Sequence, residues 1–451
     1  MYILSPDSTA QEEVHTFFNN RRASIHLNMA KSRTTSLQDI RENGLEILGT
    51  CVGSRQARER FLAAKIASEE ESLLKLSNLP NQHALLVLRN CIQQNLRHLQ
   101  RSLRSDDLPH LWDQLDTSLQ AAVARIQGRT TSTPLDRLES TLINLPVRLG
   151  GLGILSYKTC APLAHLAASG AADATLASIL PPDLLPESPG PVLPQRELCR
   201  EAFQAARDAL LEGVDPHSAK MIVEASSTLG RKWLSIIPFF SALRLSDFEI
   251  SAALHLRILS RPSRTACGRC GATNSPSHVE ICAHRSPWTL SRHENAKRVI
   301  YQALKSTQGV RAHMEPFAID SDRRNDLRIE GSQSSGLSSE EIDLSIVSLA
   351  SQRSVAVSLP PDTPEDAPAA EKASKLIHKR LSMVAARKRR DQPTSTLPFR
   401  PVIISLGGVM EKEAMDVFRT WKGVMTGGVW SFLIRRLSLC LLKARVQGFE
   451  Y

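Results

Sequence analysis

DRRNDLRIEGSQSSGLSSEEIDLSIVSL, residues 322 to 349, is where the chain changes character. Its two apolar runs alternate, Leu327 and Ile329 in the first, Ile342, Leu344 and Ile346 in the second. Alternation sends successive side chains to opposite faces, so the segment predicts two β-strands joined by a Gly/Ser loop. Upstream the apolar period is that of a helix. RQARERFLAAKIASEEESLLKL (55 to 76) and HALLVLRNCIQQNLRHLQRSLR (83 to 104) both read as helices. In the second, Ile92, Leu96, Leu99 and Leu103 share one stripe, and Arg97, Arg101 and Arg104 fall on the other side, either a solvated face or one that tracks phosphates. Downstream, RPVIISLGG (400 to 408) reads as a strand ending in a Gly turn, before a helical EKEAMDVFRTWKGV. The chain thus passes from all-α to α/β near residue 300, a multidomain α plus α/β protein.

The 451 residues include 42% apolar types, enough for real cores, which excludes a disordered polypeptide. Lys and Arg exceed Asp and Glu by 56 to 46, a net charge of +10, which favours polyanionic partners and equally fits a basic soluble protein. Five of the eight cysteines, Cys51, Cys91, Cys160, Cys199 and Cys440, are scattered singly, as expected of reduced thiols inside a cell. The start, MYILSPDST, lacks the features of a secretory signal. The most apolar stretch, VWSFLIRRLSLCLLKARV, is broken by Arg435, Arg436 and Lys443, so no membrane span is expected. Its Phe432, Leu433, Leu437, Cys440, Leu441 and Ala444 recur at helical spacing and predict an amphipathic helix docked on a core. The proline-rich LPPDLLPESPGPVLP, near residues 180 to 195, denies helix and ladder hydrogen bonds and reads as a linker.

The remaining three cysteines lie in CGRCGATNSPSHVEIC, residues 267 to 282. Cys267, Cys270, His278 and Cys282 form C-x2-C-x7-H-x3-C, with the last two ligands one helical turn apart. Four soft or borderline ligands suit tetrahedral zinc, Zn2+, and leave no open position for water, so the metal is expected to be structural; reduced buried thiols are the alternative. His284 and His293 stand nearby as substitutes for His278.

In the strand pair, Asp326 opens one strand and Asp343 lies inside the next. If the strands pair antiparallel, the two carboxylates can approach and hold a hard cation such as magnesium, Mg2+, between them. Against this stands a plainer reading, in which Asp343 is a polar strand residue and the nearby lysines are a solvated helix face. The run Arg387, Lys388, Arg389 and Arg390, with Lys379 and Arg380, is a basic patch that fits a phosphate clamp, a nuclear localisation signal or a solvated run.

The order of these segments resembles the C-terminal half of non-LTR retrotransposon polyproteins, which carry a reverse transcriptase followed by a restriction-like endonuclease. HLNMAKSRTT (26 to 35), with Lys31, resembles the polymerase palm motif; GLEILGTCVGS (44 to 54) resembles the primer grip; LPVRLGGLGI (145 to 154) resembles the close of the thumb region. The Cys/His cluster trailed by SRHENA, with Arg292 and His293, resembles that family's zinc knuckle and Arg-His motif. The resemblance implies five regions: a palm remnant (1–54), a thumb-like helical region (55–165), a linker and helical connector (166–260), the CCHC knuckle (261–298) and a restriction-like endonuclease domain (299–451). It implies Asp326 and Asp343 as catalytic magnesium ligands, with a lysine from the following helix EKASKLIHKR, Lys375 first and Lys372 second, since Ser345 stands where many such nucleases have it. Arg324, Asn325 and Asp326 replace the family's Arg-Pro-Asp. Arg292 and His293 join the basic residues expected to contact nucleic acid.

In that family the polymerase's paired aspartates lie upstream of a segment like MYILSP, so no DNA synthesis is expected of this chain. The function implied is nicking of target DNA for target-primed reverse transcription, with DNA and retrotransposon RNA as partners, in the nucleus. The competing readings are a non-catalytic nucleic-acid-binding relic and a helical interaction protein with an incidental zinc site.

Overall fold

The computed structural model describes residues 12, 16, 35–129, 134–180, 193–260, 266–316, 324–332, 336–392 and 397–447. Lys31 and the centre of the proline-rich linker lie outside the described residues. Within them the chain is mostly helical, with two small sheets.

The first part begins with α1 (Leu37–Asn43) and the hairpin of β1 (Leu45–Ile47) and β2 (Thr50–Val52), whose register pairs Ile47 with Thr50. That leaves Leu48 and Gly49 as a two-residue turn, both at positive φ, the backbone that a primed hairpin turn needs. Then follow α2 (Arg55–Lys75), α3 (Asn81–Asn90), α4 (Leu99–Ser102), α5 (Pro109–Ile126), α6 (Arg137–Asn144), α7 (Tyr157–Leu176), α8 (Gln195–Glu212), α9 (Pro216–Ser226), α10 (Thr228–Lys232) and α11 (Asp247–Arg257). Side-chain caps set several starts: Asp136 with Glu139 and Ser246 with Glu249 each form a reciprocal capping box. The amphipathic faces of these helices close over one core, with Leu62, Leu88, Leu99, Trp112 and Tyr157 essentially buried.

The single helix expected over 83 to 104 is not formed. α3 stops at Asn90 because Gln93 is captured from a distance: its carbonyl accepts from the Tyr157 hydroxyl at 2.7 Å, and its amide donates to the Gly153 carbonyl at 3.1 Å. Ile92, Leu96, Leu99 and Leu103 are nonetheless all buried. The arginines, however, are not one face. Arg97 is half-buried and donates to the Gln93 carbonyl, Arg101 donates to Gln195 at 2.6 Å, and Arg104 pairs with Asp106 at 3.3 Å.

The second part runs α12 (Pro276–Ile281), α13 (Ser286–Lys305), β3 (Arg311–Met314), β4 (Leu327–Glu330), β5 (Glu340–Val347), α14 (Gln352–Val355), α15 (Ala369–Arg390), β6 (Phe399–Ser405), α16 (Lys412–Val424) and α17 (Gly427–Val446). The sheet order is β3-β4-β5-β6, antiparallel except for the parallel pair β5 and β6. A parallel neighbour needs a crossover, and α15 supplies it. One sheet face packs with α13, α16 and α17 through Leu327, Ile342, Leu344, Trp421 and Leu437. α15 packs across β5 and β6 through Ile377, Leu381 and Val384 against Val347 and Ile403.

α17 belongs to both cores. Leu433, Leu437 and Leu441 join the sheet core, whereas Leu439, Leu442 and Val446 join the helical one. Phe432, expected on the docked face, is instead exposed.

Candidate active site and Cys/His cluster

Extending the β4 and β5 register builds the site. Leu327 pairs with Ile342, so the next step places Asp326 opposite Asp343, and residues directly opposite in an antiparallel pair share a face. The two carboxyl groups are near enough for each to shift the other's titration. Asp326 also accepts from the Leu344 amide at 2.7 Å and from His293 Nε2 at 3.1 Å. That same nitrogen lies 3.1 Å from the Leu344 carbonyl, which can only accept, so Nε2 carries a proton. Burial is the largest single influence on Asp326 and opposes its charge, but the bond and charge of His293 together with the Leu344 amide outweigh it and hold the carboxyl below its ordinary range; in return His293 is raised. Burial pushes Asp343 up in spite of its lysine partner. One carboxyl of the pair thus holds its proton more readily than the other.

That lysine is Lys388, whose ammonium lies 2.8 Å from Asp343. It was expected to be a phosphate-binding residue of the basic run; the structure turns it inward. The expected lysines are elsewhere: Lys375 pairs with Glu371 at 3.0 Å and Lys372 donates to the Glu365 carbonyl. Both project from α15 away from Lys388's side, because thirteen and sixteen residues of helix carry them most of a half-turn around the axis.

Sequence reasoning also missed Lys297 on α13, whose side chain is only 2% exposed. It lies 2.7 Å from Glu294, 2.5 Å from Glu315 and 3.9 Å from Asp326. The available signal was phase, since Lys297 follows His293 by one turn and precedes the buried Ile300 by three residues. Asn325 donates to buried Glu341 at 2.6 Å, and Arg328 pairs with the same carboxylate at 2.8 Å.

No protein-family model matches this chain, and no curated protein matches it.

Some 50 residues upstream of the carboxylates, Cys267, Cys270, His278 and Cys282 converge, their ligand atoms all within 4.8 Å of one another. The first pair sits on a knuckle closed by the Cys267 amide on the Ala272 carbonyl at 2.8 Å. The second pair is delivered by α12, capped by Ser275. Backbone amides of Arg269 and Cys270 aimed at the Cys267 sulfur hold its thiol down, at about 6, against burial. Such a set can hold a metal ion such as zinc. His284 is not part of it, and His293 serves the carboxylates instead.

The remaining basic residues divide. Arg292 donates to the Ile346 carbonyl of β5 at 3.4 Å, Lys379 to the Ser358 carbonyl of the loop after α14 at 2.9 Å, and Arg380 to the Ser354 hydroxyl of α14 at 3.1 Å, so all three are spent inside the fold. Arg389 pairs with Glu413. Arg387 and Arg390 are exposed and make no ion pair among the described residues.

Proposed function

We propose that this protein is a metal-dependent DNA endonuclease of non-LTR retrotransposon origin that nicks one strand of its target, with Asp326, Asp343 and Lys388 as its catalytic residues. One observation carries the reading: two carboxylates opposite each other on an antiparallel hairpin, with an ammonium 2.8 Å from one of them. Paired hard oxygen donors fit a magnesium ion. Bound there, the ion would supply a Lewis acid that draws charge from the scissile phosphate and makes a water more acidic. His293 and the Leu344 amide fix the orientation of Asp326. The Lys388 ammonium can stabilise the extra negative charge that grows on the phosphate during attack. Arg387 and Arg390, exposed on the same helix, offer backbone contacts without sequence preference. The Cys/His cluster would hold structural zinc, its four protein ligands leaving no position for water.

The test is nicking of supercoiled plasmid DNA in magnesium. Asp326→Asn and Asp343→Asn should each lower the rate by about a hundredfold or more, with zinc content and DNA binding kept. Nicking that survives both changes would refute the site.

The non-catalytic relic has one observation in its favour, that His293 and Lys388 already pair with the two carboxyl groups. Salt-sensitive DNA or RNA binding with no cleavage in magnesium or manganese would select it.

A further inference from the structure

Around Lys297 the number of carboxylates exceeds what an ion pair needs. Glu294 comes from the same helix, Glu315 from just beyond β3 and Asp326 from the head of β4, and all three turn oxygens toward one ammonium. A lysine offers three N–H donors; Glu294 and Glu315 each accept one, and Asp326 stands 3.9 Å away, close enough for an ion pair but not for a hydrogen bond. The side chain is 2% exposed, so this charge is fixed in the protein rather than swept through solvent. Asp326 is shared: one oxygen faces Lys297, and the other accepts from His293 and Leu344, while the group also meets Asp343. Lys297, Asp326, Asp343 and Lys388 therefore form a line of charged groups, two adjoining carboxyls in the middle and an ammonium at each end.

We propose that the Lys297 ammonium fills the place where a second cation would otherwise sit, so that this centre takes up one divalent ion rather than two. Paired metal ions in phosphodiester chemistry lie roughly 3.5 to 4 Å apart and share a bridging carboxylate between further acidic ligands. Here Asp326 is the carboxylate in the bridging place, Asp343 serves one side, and Glu294 and Glu315 serve the other, where Lys297 already stands. A compact point charge satisfies those oxygens and repels a divalent ion brought beside it. The proposal rests on the reading of Asp326 and Asp343 as a metal-binding pair, but the two separate in experiment.

Manganese, as the metal alone, is counted by electron paramagnetic resonance on the full zinc-loaded chain. Wild type should bind one ion, and Asp343→Asn should remove it. Lys297→Ala, which opens three carboxylates, should gain one ion over its parent in either background, with a Kd of roughly 10⁻⁴ to 10⁻³ M or tighter. Lys297→Gln keeps the first part of the buried stem and adds an amide oxygen that can itself ligate, so it reads the same gain if the alanine variant folds poorly. A wild-type count of two overturns the proposal, as does a folded Lys297 variant, judged by zinc content and circular dichroism, that gains nothing. A wild-type count of zero with a gain of one on Lys297 replacement would refute the nuclease reading of the aspartate pair and leave the filled cation place standing.

Discussion

Lys388 owes its position to phase. Ile377, Leu381 and Val384 mark the buried face of α15, and Lys388 follows Val384 by four residues, on the same face. In the sequence it was hidden inside ARKRR, where four like charges in a row read as one solvated patch; only the 3.6-residue period separates it from its neighbours. The consequence is measurable in plasmid nicking: Lys388→Ala should slow the rate by about a hundredfold or more, as loss of a charge-stabilising donor does. Lys375→Ala should stay within about twofold of wild type, since it loses only a partly exposed pair with Glu371. Another residue predicts a pH effect. Burial and the nearby Arg129 charge hold His255 at about 4, against about 6.5 in an unfolded chain. The unfolded state then binds the extra proton between those values, so stability is lost as pH falls from 6.5 to 4 and is unaffected above. The loss is roughly 3 kcal/mol, and His255→Leu should remove that part of the acid sensitivity in urea titrations repeated across the range.

At the scale of elements, what could be read in the sequence was local. The Cys/His spacing is set by one turn and one short helix, both within sixteen residues, so ligand geometry follows from spacing alone. The facing aspartates were readable for the same reason, since two short strands joined by a loop have few registers that keep Leu327, Ile329, Ile342 and Leu344 all inside. The 83 to 104 helix failed because its competitor, the 153 to 157 segment, lies sixty residues away, and long-range hydrogen bonds to Gln93 leave no trace in local periodicity. The Cys/His element also carries Glu280, on α12 between His278 and Cys282, which accepts from Ser348 at 2.6 Å. Metal removal by a strong chelator should therefore raise amide hydrogen exchange over residues 266–285 first and at Ser348 next. Strands β4 and β5 should keep their protection, being held by the sheet core. Equal exchange over 266–285 with and without chelator would mean that the fold holds the cluster without metal.

The two cores of the whole molecule are joined by more than apolar contact. Arg445, near the end of α17, lies 3.0 Å from Glu224 of the helical part and 2.6 Å from Glu280 of the Cys/His element, and Glu224 also accepts from the Gly407 amide at 3.0 Å. Gly407 must be glycine there, because a Cβ would lie within 2.4 to 2.6 Å of the Glu224 side chain. The three side chains are 2 to 11% exposed, and the two carboxylates hold Arg445 firmly protonated, above its ordinary range. Arg445→Met would keep most of the packing and leave two carboxylates facing each other without a cation, a change that costs roughly 3 to 5 kcal/mol when a buried pair is broken. Because α17 lies in both cores, the loss should shift a single urea transition rather than split it. The size of the shift should depend on pH. Burial already raises Glu224, so as pH falls it is the first of the two to take up a proton, and a neutral carboxyl needs no cation. The deficit of the variant should accordingly be smaller at pH 5 than at pH 7; an equal deficit at both would mean that Arg445 holds the cores together by its stem and not by its charge.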